Sequence, residues 1–226
     1  MNLLILGRGK TGSLVAEVAR ERRHHVRVLA AAENPNGAAL TPGNLSGIDA
    51  IIDFTTPAAV IANAEASIRA GKNLVIGTTG WHRELPRLRE LVLAANTGLL
   101  YGSNFSVGVN LFFEVAQAAA RALQFEYSGQ IFERHHALKK DAPSGTALTL
   151  QKLIQEAGNR ELDIVSFREG DVVGMHEVVF NSANDRLYLC HDSKSRRGFA
   201  DGAVRAAEWL AGKHGFFDFR DIWKQL

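Results

Sequence analysis

Cysteine is almost absent from this 226-residue chain. Cys190 stands alone, which excludes an intrachain disulfide and any zinc ribbon or redox pair built from thiols. A reducing, cytoplasmic setting is the expectation that follows. Long apolar runs are missing too. Met1-Asn2 passes directly into Leu3–Leu6 without the basic region and cleavage site of a secretory signal, and no later stretch is long enough to span a bilayer. A soluble protein with no membrane partner is expected. Nor is there an excess of one charge: 26 Lys and Arg face 24 Asp and Glu, and the basic residues are scattered apart from Arg20-Glu21-Arg22-Arg23 and Lys194-Ser195-Arg196-Arg197. A nucleic-acid binder needs a denser basic face with interleaved aromatics, so no such partner is expected. The first cluster reads as a solvated helix end, where cations suit the negative end of the dipole.

What is present is length and apolar content enough to bury a core without staples. The first half alternates short apolar runs with helical patterns, the signature of a parallel sheet with crossover helices. Strands are predicted over Asn2–Leu6, His25–Ala31, Ala50–Phe54, Asn73–Ile76 and Leu99–Gly102. Helices are predicted over Gly12–Arg23, Pro57–Ala70 and Glu84–Ala95. After Asn104 the character changes. A long helix, Val107–Leu123 with Leu111, Phe112, Val115 and Ala119 on one face, precedes strand-like Tyr127–Arg134, Ile164–Phe167, Glu177–Phe180 and Arg186–Cys190. These strands lie close together, so an antiparallel or mixed sheet is expected. A last helix covers Phe199–Lys213, and its packing partner cannot be deduced from periodicity. The fold class is therefore α/β, an N-terminal Rossmann-like parallel sheet followed by an α+β domain with a mixed sheet.

Gly7-Arg8-Gly9-Lys10-Thr11-Gly12 follows the first strand and opens a helix. In that context Gly7 permits a tight turn, Gly9 lets backbone approach a pyrophosphate, and Gly12 allows close helix–strand packing. Anionic phosphates then meet free N–H groups at a helix start. Glu33, at the end of the second strand, stands where an acid hydrogen-bonds a ribose hydroxyl. The bland alternatives are a plain strand–helix turn and a solvated acid. Phe54-Thr55-Thr56-Pro57 and Gly77-Thr78-Thr79-Gly80 end two further strands. Three such loops on one sheet edge point to a shared ligand.

Between Glu133 and Thr146 titratable groups concentrate: His135, His136, Lys139, Lys140 and Asp141 precede Ser144-Gly145-Thr146 at the start of a predicted helix, Thr146–Ala157. Imidazoles bind or exchange protons near neutral pH, an ammonium can donate one, and a helix start presents N–H groups to an anion. Together they describe a site for a negatively charged substrate that needs a proton. Adjacent histidines on a strand point to opposite faces, so one can be an ordinary satisfied histidine. Zinc is the weaker expectation, because no suitably spaced third ligand is evident, with His176 and His191 as the remaining possibilities.

Glu133 through Ala147 resembles, without a gap, the E-x-H-H-x-x-K-x-D-A-P-S-G-T-A segment of the 4-hydroxy-tetrahydrodipicolinate reductases. The similarity extends through Phe54-Thr55, Gly77–Gly80, Ser103–Asn110, Ser195-Arg196 and Phe199–Ala203. The resemblance implies an NADH- or NADPH-dependent reductase of lysine and diaminopimelate biosynthesis. Residues 1–104 and 200–226 would hold the dinucleotide through Gly7, Arg8, Gly9, Lys10, Thr11, Gly12, Glu33, Gly77, Thr78, Thr79, Ser103, Asn104 and Phe105. Residues 105–199 would bind a small dicarboxylate substrate and supply most of a homotetramer interface, and the final helix would pack on the first domain. His135 would match the acid/base, Lys139 the proton donor, His136 a substrate contact, and Gly145 with Thr146 the carboxylate cradle; no metal is implied. Hydride would pass from the nicotinamide to C4 of the ring.

The chain also departs from that pattern. Its glycine loop is one residue shorter, and the stretch from Glu33 to Asp49 is too short for the usual helix and strand. Asn34 follows Glu33 where members favouring NADPH carry a basic residue, so NADH is expected to serve at least as well, Arg8 or Lys10 being the alternative 2′-phosphate contacts. The rival functions are a related imine or amino-acid dehydrogenase, and a nucleotide-sensing protein without catalysis.

Overall fold

The computed structural model describes residues 1–226. It divides into two compact units, Met1–Val107 with Arg197–Leu226, and Gly108–Arg196.

The first unit is built on β1 (Asn2–Leu6), β2 (His25–Leu29), β3 (Ala50–Asp53), β4 (Asn73–Ile76) and β5 (Gly98–Tyr101), with helices α1 (Lys10–Glu21), α2 (Pro57–Arg69) and α3 (Leu85–Ala94) between them. All pairs are parallel, in the order β10-β5-β4-β3-β1-β2, where β10 is Gly215–Asp218. Strands covered on both faces read as near-continuous apolar runs, as Leu3–Leu6 of β1 and Ala50–Ile52 of β3 do. Leu3, Ile5 and Ile52 point to a layer containing α1 and α6 (Arg197–Leu210); Leu4, Leu6 and Ile51 point to one containing α2 and α3. Helix α6 lies along α1, where Glu208 accepts from Arg22 at 2.6 Å and contacts His24 at 2.7 Å.

β10 and the short helix α7 (Phe219–Ile222) after it are absent from the sequence reading. Phe216-Phe217 is too brief an apolar run to carry a period, and only pairing with β5 makes it a strand. Between β2 and β3 there are only two short 3-10 turns, Ala31–Glu33 and Pro35–Gly37, and β2 is the edge of the sheet. The strand that would lie outside β2 in a full dinucleotide-binding sheet is missing, as the short spacing implies.

The second unit contains α4 (Val107–Ala120), β6 (Ser128–His135), α5 (Gly145–Gly158), β7 (Ile164–Arg168), β8 (Met175–Asn181) and β9 (Arg186–Asp192). Its sheet runs β7-β6-β8-β9, with β6 parallel to β7 and antiparallel to β8: a mixed sheet. The expected face of α4 needs correction. Val109, Asn110, Phe112, Phe113, Ala116 and Ala120 are its buried residues, whereas Leu111 and Val115 are exposed. Apolar residues nearly surround this helix, so composition could not say which stripe faces the sheet. The helix also tightens to a 3-10 turn at Arg121. Helix α5 starts one residue earlier than expected, because Ser144 rather than Gly145 caps it.

Candidate active site

The glycine loop leaves β1 with Gly7 at φ +105°, a conformation that side chains resist. A Cβ on Gly7 would lie 2.4 Å from the Phe54 carbonyl oxygen, and one on Gly12 would lie 2.2 Å from that of Gly7. Gly9 has open space where its side chain would be, and no side chain caps the helix it begins. A cleft of about 340 Å³ joins Gly9, Lys10 and Thr11 to Thr55 and to Gly77, Thr78 and Thr79. The loops that end β1, β3 and β4 therefore share one space, at the carboxyl edge where open α/β sheets bind ligands. Glu33 lies beyond β2 in a 3-10 turn, accepting from the Ala30 N–H at 2.6 Å and paired with Arg8 at 3.3 Å. Both side chains are about half exposed. Ser103 and Asn104 are half-buried after β5; the Phe105 ring belongs to the core, packed on Phe219 at 4.6 Å.

Asp53, at the end of β3, is fully buried with no cation beside it. One oxygen accepts from the Thr55 N–H at 2.8 Å and its hydroxyl at 2.6 Å, the other from Asn63 at 2.8 Å. Burial pushes this carboxyl up, opposed by those hydrogen bonds. It ties Thr55, at the cleft, to Asn63 of α2, a role that sequence inspection missed.

In the second unit Glu133 and His135 alternate along β6 and so share a face. Glu133 is buried; one oxygen contacts His135 Nδ1, while the other takes Arg168 at 2.7 Å and the Ser144 N–H at 3.3 Å. Burial pushes the Glu133 carboxyl up, but hydrogen bonds led by Arg168 outweigh it and bring it down to about 2. A carboxylate only accepts, so His135 donates from Nδ1 and keeps Nε2 free. Burial lowers the His135 pKa, Glu133 opposes this, and the Lys139 and Arg168 charges add to the lowering. The net lowering favours its neutral form. His136, the first residue after β6, is half-buried, so the two histidines do not both lie on the strand as expected.

Beyond β6, Lys139 is held by Asp141 at 2.7 and 2.8 Å, and Ala142-Pro143 is a cis peptide leading into Ser144. The Ser144 hydroxyl accepts from the Ala147 N–H at 3.2 Å and contacts His176 Nε2 at 3.1 Å. Burial, aided by the neighbouring His135, pushes His176 down to about 3. Gly145 and Thr146 occupy the first turn of α5 immediately after this cap. Ligand atoms of Glu133, His135 and His176 lie within 4.8 Å of one another, so the third group that sequence spacing failed to supply is His176.

Family models of dihydrodipicolinate reductase match this chain twice, the N-terminus over residues 1–105 and the C-terminus over residues 108–223. The chain belongs to the dihydrodipicolinate reductase family. A 4-hydroxy-tetrahydrodipicolinate reductase of Christiangramia forsetii is 37% identical over 240 residues, covering 100% of this chain and 99% of the relative. The enzyme of the same name from Chromobacterium violaceum is 40% identical over 199 residues, 79% of this chain and 74% of that one. A dipicolinate-bound dihydrodipicolinate reductase from Paenisporosarcina sp. TG-14 shares the fold, with a TM-score of 0.76 at 23% identity over 98% of this chain and 99% of the other. A dihydrodipicolinate reductase is a pyridine-nucleotide-dependent oxidoreductase acting on a small molecule. No helix is long and apolar enough to cross a membrane.

Of the residues expected at the site, the structure gathers Gly9, Lys10, Thr11, Gly77, Thr78 and Thr79 around one cleft. In the second unit it gathers His135, Lys139 and the Ser144–Thr146 turn around Glu133. Arg168 was not expected at all, Asp141 was named in the cluster without a role, and His176 was named only as a possible zinc ligand. Arg168 stands beside His135 in the β6–β7 register, which no local pattern announces.

Proposed function

We propose that this chain reduces 4-hydroxy-tetrahydrodipicolinate to tetrahydrodipicolinate with NADH or NADPH, in lysine and diaminopimelate biosynthesis. The observation that carries the reading is the second unit's cluster: an imidazole held through Nδ1 by Glu133 and an ammonium held by Asp141, beside a capped helix start. Hydride addition to the conjugated imine at C4, after loss of the hydroxyl as water, builds negative charge elsewhere on the ring. Lys139 stabilises that charge and gives the proton that quenches it. His135 works as the acid/base, His136 contacts the substrate, and Gly145 and Thr146 bind a carboxylate with the first-turn N–H groups of α5. No metal has a role here, since Arg168 already supplies the cation that Glu133 needs.

The first unit is the dinucleotide-binding domain. Gly7, Arg8, Gly9, Lys10, Thr11 and Gly12 hold the pyrophosphate, Glu33 takes the ribose, and Gly77, Thr78, Thr79, Ser103, Asn104 and Phe105 flank the nicotinamide half, Phe105 through its main chain. NADH serves at least as well as NADPH, because Glu33 is followed by Asn34 rather than a cation. A coupled assay with freshly generated substrate tests the reaction: rapid cofactor oxidation is expected. Lys139→Met should lower kcat by roughly 10²- to 10⁴-fold with NADH affinity unchanged. Equal loss of both would contradict the donor role. Steady-state kinetics with both nucleotides check the preference, and a strong advantage for NADPH would refute it.

A further inference from the structure

The connection from β2 to β3, where the helix and strand of a full nucleotide domain are missing, is tied down from beneath by a chain of side-chain amides that ends on a buried carboxylate. Asn34 is only 8% exposed. Its Nδ2 donates to Asn63 Oδ1 at 2.9 Å, and its Oδ1 accepts from the Ala39 N–H at 3.0 Å. Asn63, on α2, in turn donates to Asp53 at 2.8 Å. Asp53 also binds Thr55, which lines the same cleft as the glycine loop. Above this chain, Asn36 (φ +50°) and Gly37 (φ +76°) turn the backbone. A Cβ on Gly37 would lie 2.8 Å from the Ala62 carbonyl oxygen, so the turn sits directly on α2. The turn forms one wall of a cavity of about 290 Å³ whose other walls include Gly7, Ala30, Phe54 and Ala59.

We propose that the Asn34–Asn63–Asp53 tie makes the Asn34–Gly37 turn the adenosine wall of the nucleotide site, with Asn34 a positioning residue rather than a reader of the ribose 2′ substituent. This rests on the nucleotide reading of the first unit and says how a shortened domain completes it. The cavity adjoins the glycine loop at the carboxyl edge of β1, on the side of β2, where the adenosine half of a dinucleotide lies. Its walls are largely apolar, as the flat faces of a purine require. A short turn without regular structure loses conformational entropy when it closes on a ligand, and a tie that orders it beforehand removes that cost from binding. Both ends of the Asn34 amide are engaged inside the protein and the residue is buried, so it is poorly placed to bind a phosphate.

The test compares NADH, NADPH, ADP-ribose and reduced nicotinamide mononucleotide binding to the full-length protein by calorimetry. For Asn34→Ala, NADH and ADP-ribose should bind about tenfold more weakly, the loss of one buried hydrogen-bonded tie. The mononucleotide should bind as before, and kcat at saturating NADH should hold while KM rises. Unchanged ADP-ribose affinity, or equal loss with the mononucleotide, overturns the proposal. Asn34→Arg should weaken NADH and NADPH alike; a selective gain for NADPH with NADH untouched would make the position a reader instead. Should both variants fail to fold by circular dichroism, Ala59→Leu narrows the slot without touching the tie. It should cost ADP-ribose about tenfold, and wild-type affinity there overturns the assignment. A wild-type protein that binds neither NADH nor ADP-ribose defeats the nucleotide reading itself, an outcome distinct from failure of the tie.

Discussion

Glu133 binds three groups at once: the His135 ring, the Arg168 guanidinium and the Ser144 N–H at the cap of α5. One carboxylate thus sets the tautomer of the imidazole and anchors the helix start that would receive a substrate carboxylate. Its pKa of about 2 lies below the ordinary 4.5, so its contribution to stability is complete above about pH 4.5 and is lost as pH falls towards 2. Glu133→Gln keeps the shape and removes the charge. The carboxylate raises the His135 pKa, so its loss lets the imidazole titrate lower still, and the acid limb of kcat/KM should move to lower pH. We expect kcat to fall on the order of 10²-fold or less, with the acid-induced loss of stability reduced between pH 4.5 and 2. An unmoved acid limb would separate His135 from the rate. Glu133 and His135 two apart on a strand was legible as a shared face; Arg168 was not, because strand register is a long-range property.

At the scale of elements, the strand–loop–helix unit β1–α1 depends on two glycines for different reasons. Gly12 is needed for packing, since its Cβ would collide with the Gly7 carbonyl oxygen, whereas Gly9 has nothing within 4 Å. Gly12→Ala should therefore cost about 1–3 kcal/mol in denaturant unfolding, as an overpacked contact does, and weaken NADH as well. Gly9→Ala should leave the unfolding midpoint nearly unchanged and still weaken NADH, because the methyl occupies ligand space. If both variants lose stability equally, the division of roles is wrong. These glycines were readable from their spacing after a strand. The stripe by which α4 packs was not, because a helix with apolar residues on several sides gives no unique face.

At the scale of the whole molecule, one face of the second unit's sheet exposes apolar side chains among polar ones such as Arg134 and Glu177. Val165, Phe167 and Tyr188 are 38%, 40% and 55% exposed, on β7 and β9, and alternate with residues turned towards the helix-covered face. Exposed apolar side chains on a sheet face are common at association surfaces, and we propose this face as part of the interface of the homotetramer that the family resemblance implies. Light scattering should give about four times the 24.6 kDa chain mass. Phe167→Glu together with Tyr188→Glu should lower that mass while leaving far-ultraviolet circular dichroism unchanged. A wild-type chain that is monomeric at micromolar concentration would remove the proposal.

Local physics determined a good part of this protein from sequence alone. Apolar runs bounded by glycine and proline specify the parallel strands and their crossover helices, and a glycine spacing specifies a tight strand–helix turn with an uncapped helix start, because steric freedom and hydrogen-bond demand act within a few residues. The Glu133–Ala147 segment carries most of its reactive groups within a single stretch of chain. Only tertiary structure decided that Phe216-Phe217 is a strand, that Arg168 and His176 join His135, and that Asn34 turns inward to Asn63. Those outcomes depend on which distant backbone lies alongside, and burial then forces each polar group to find its partner there.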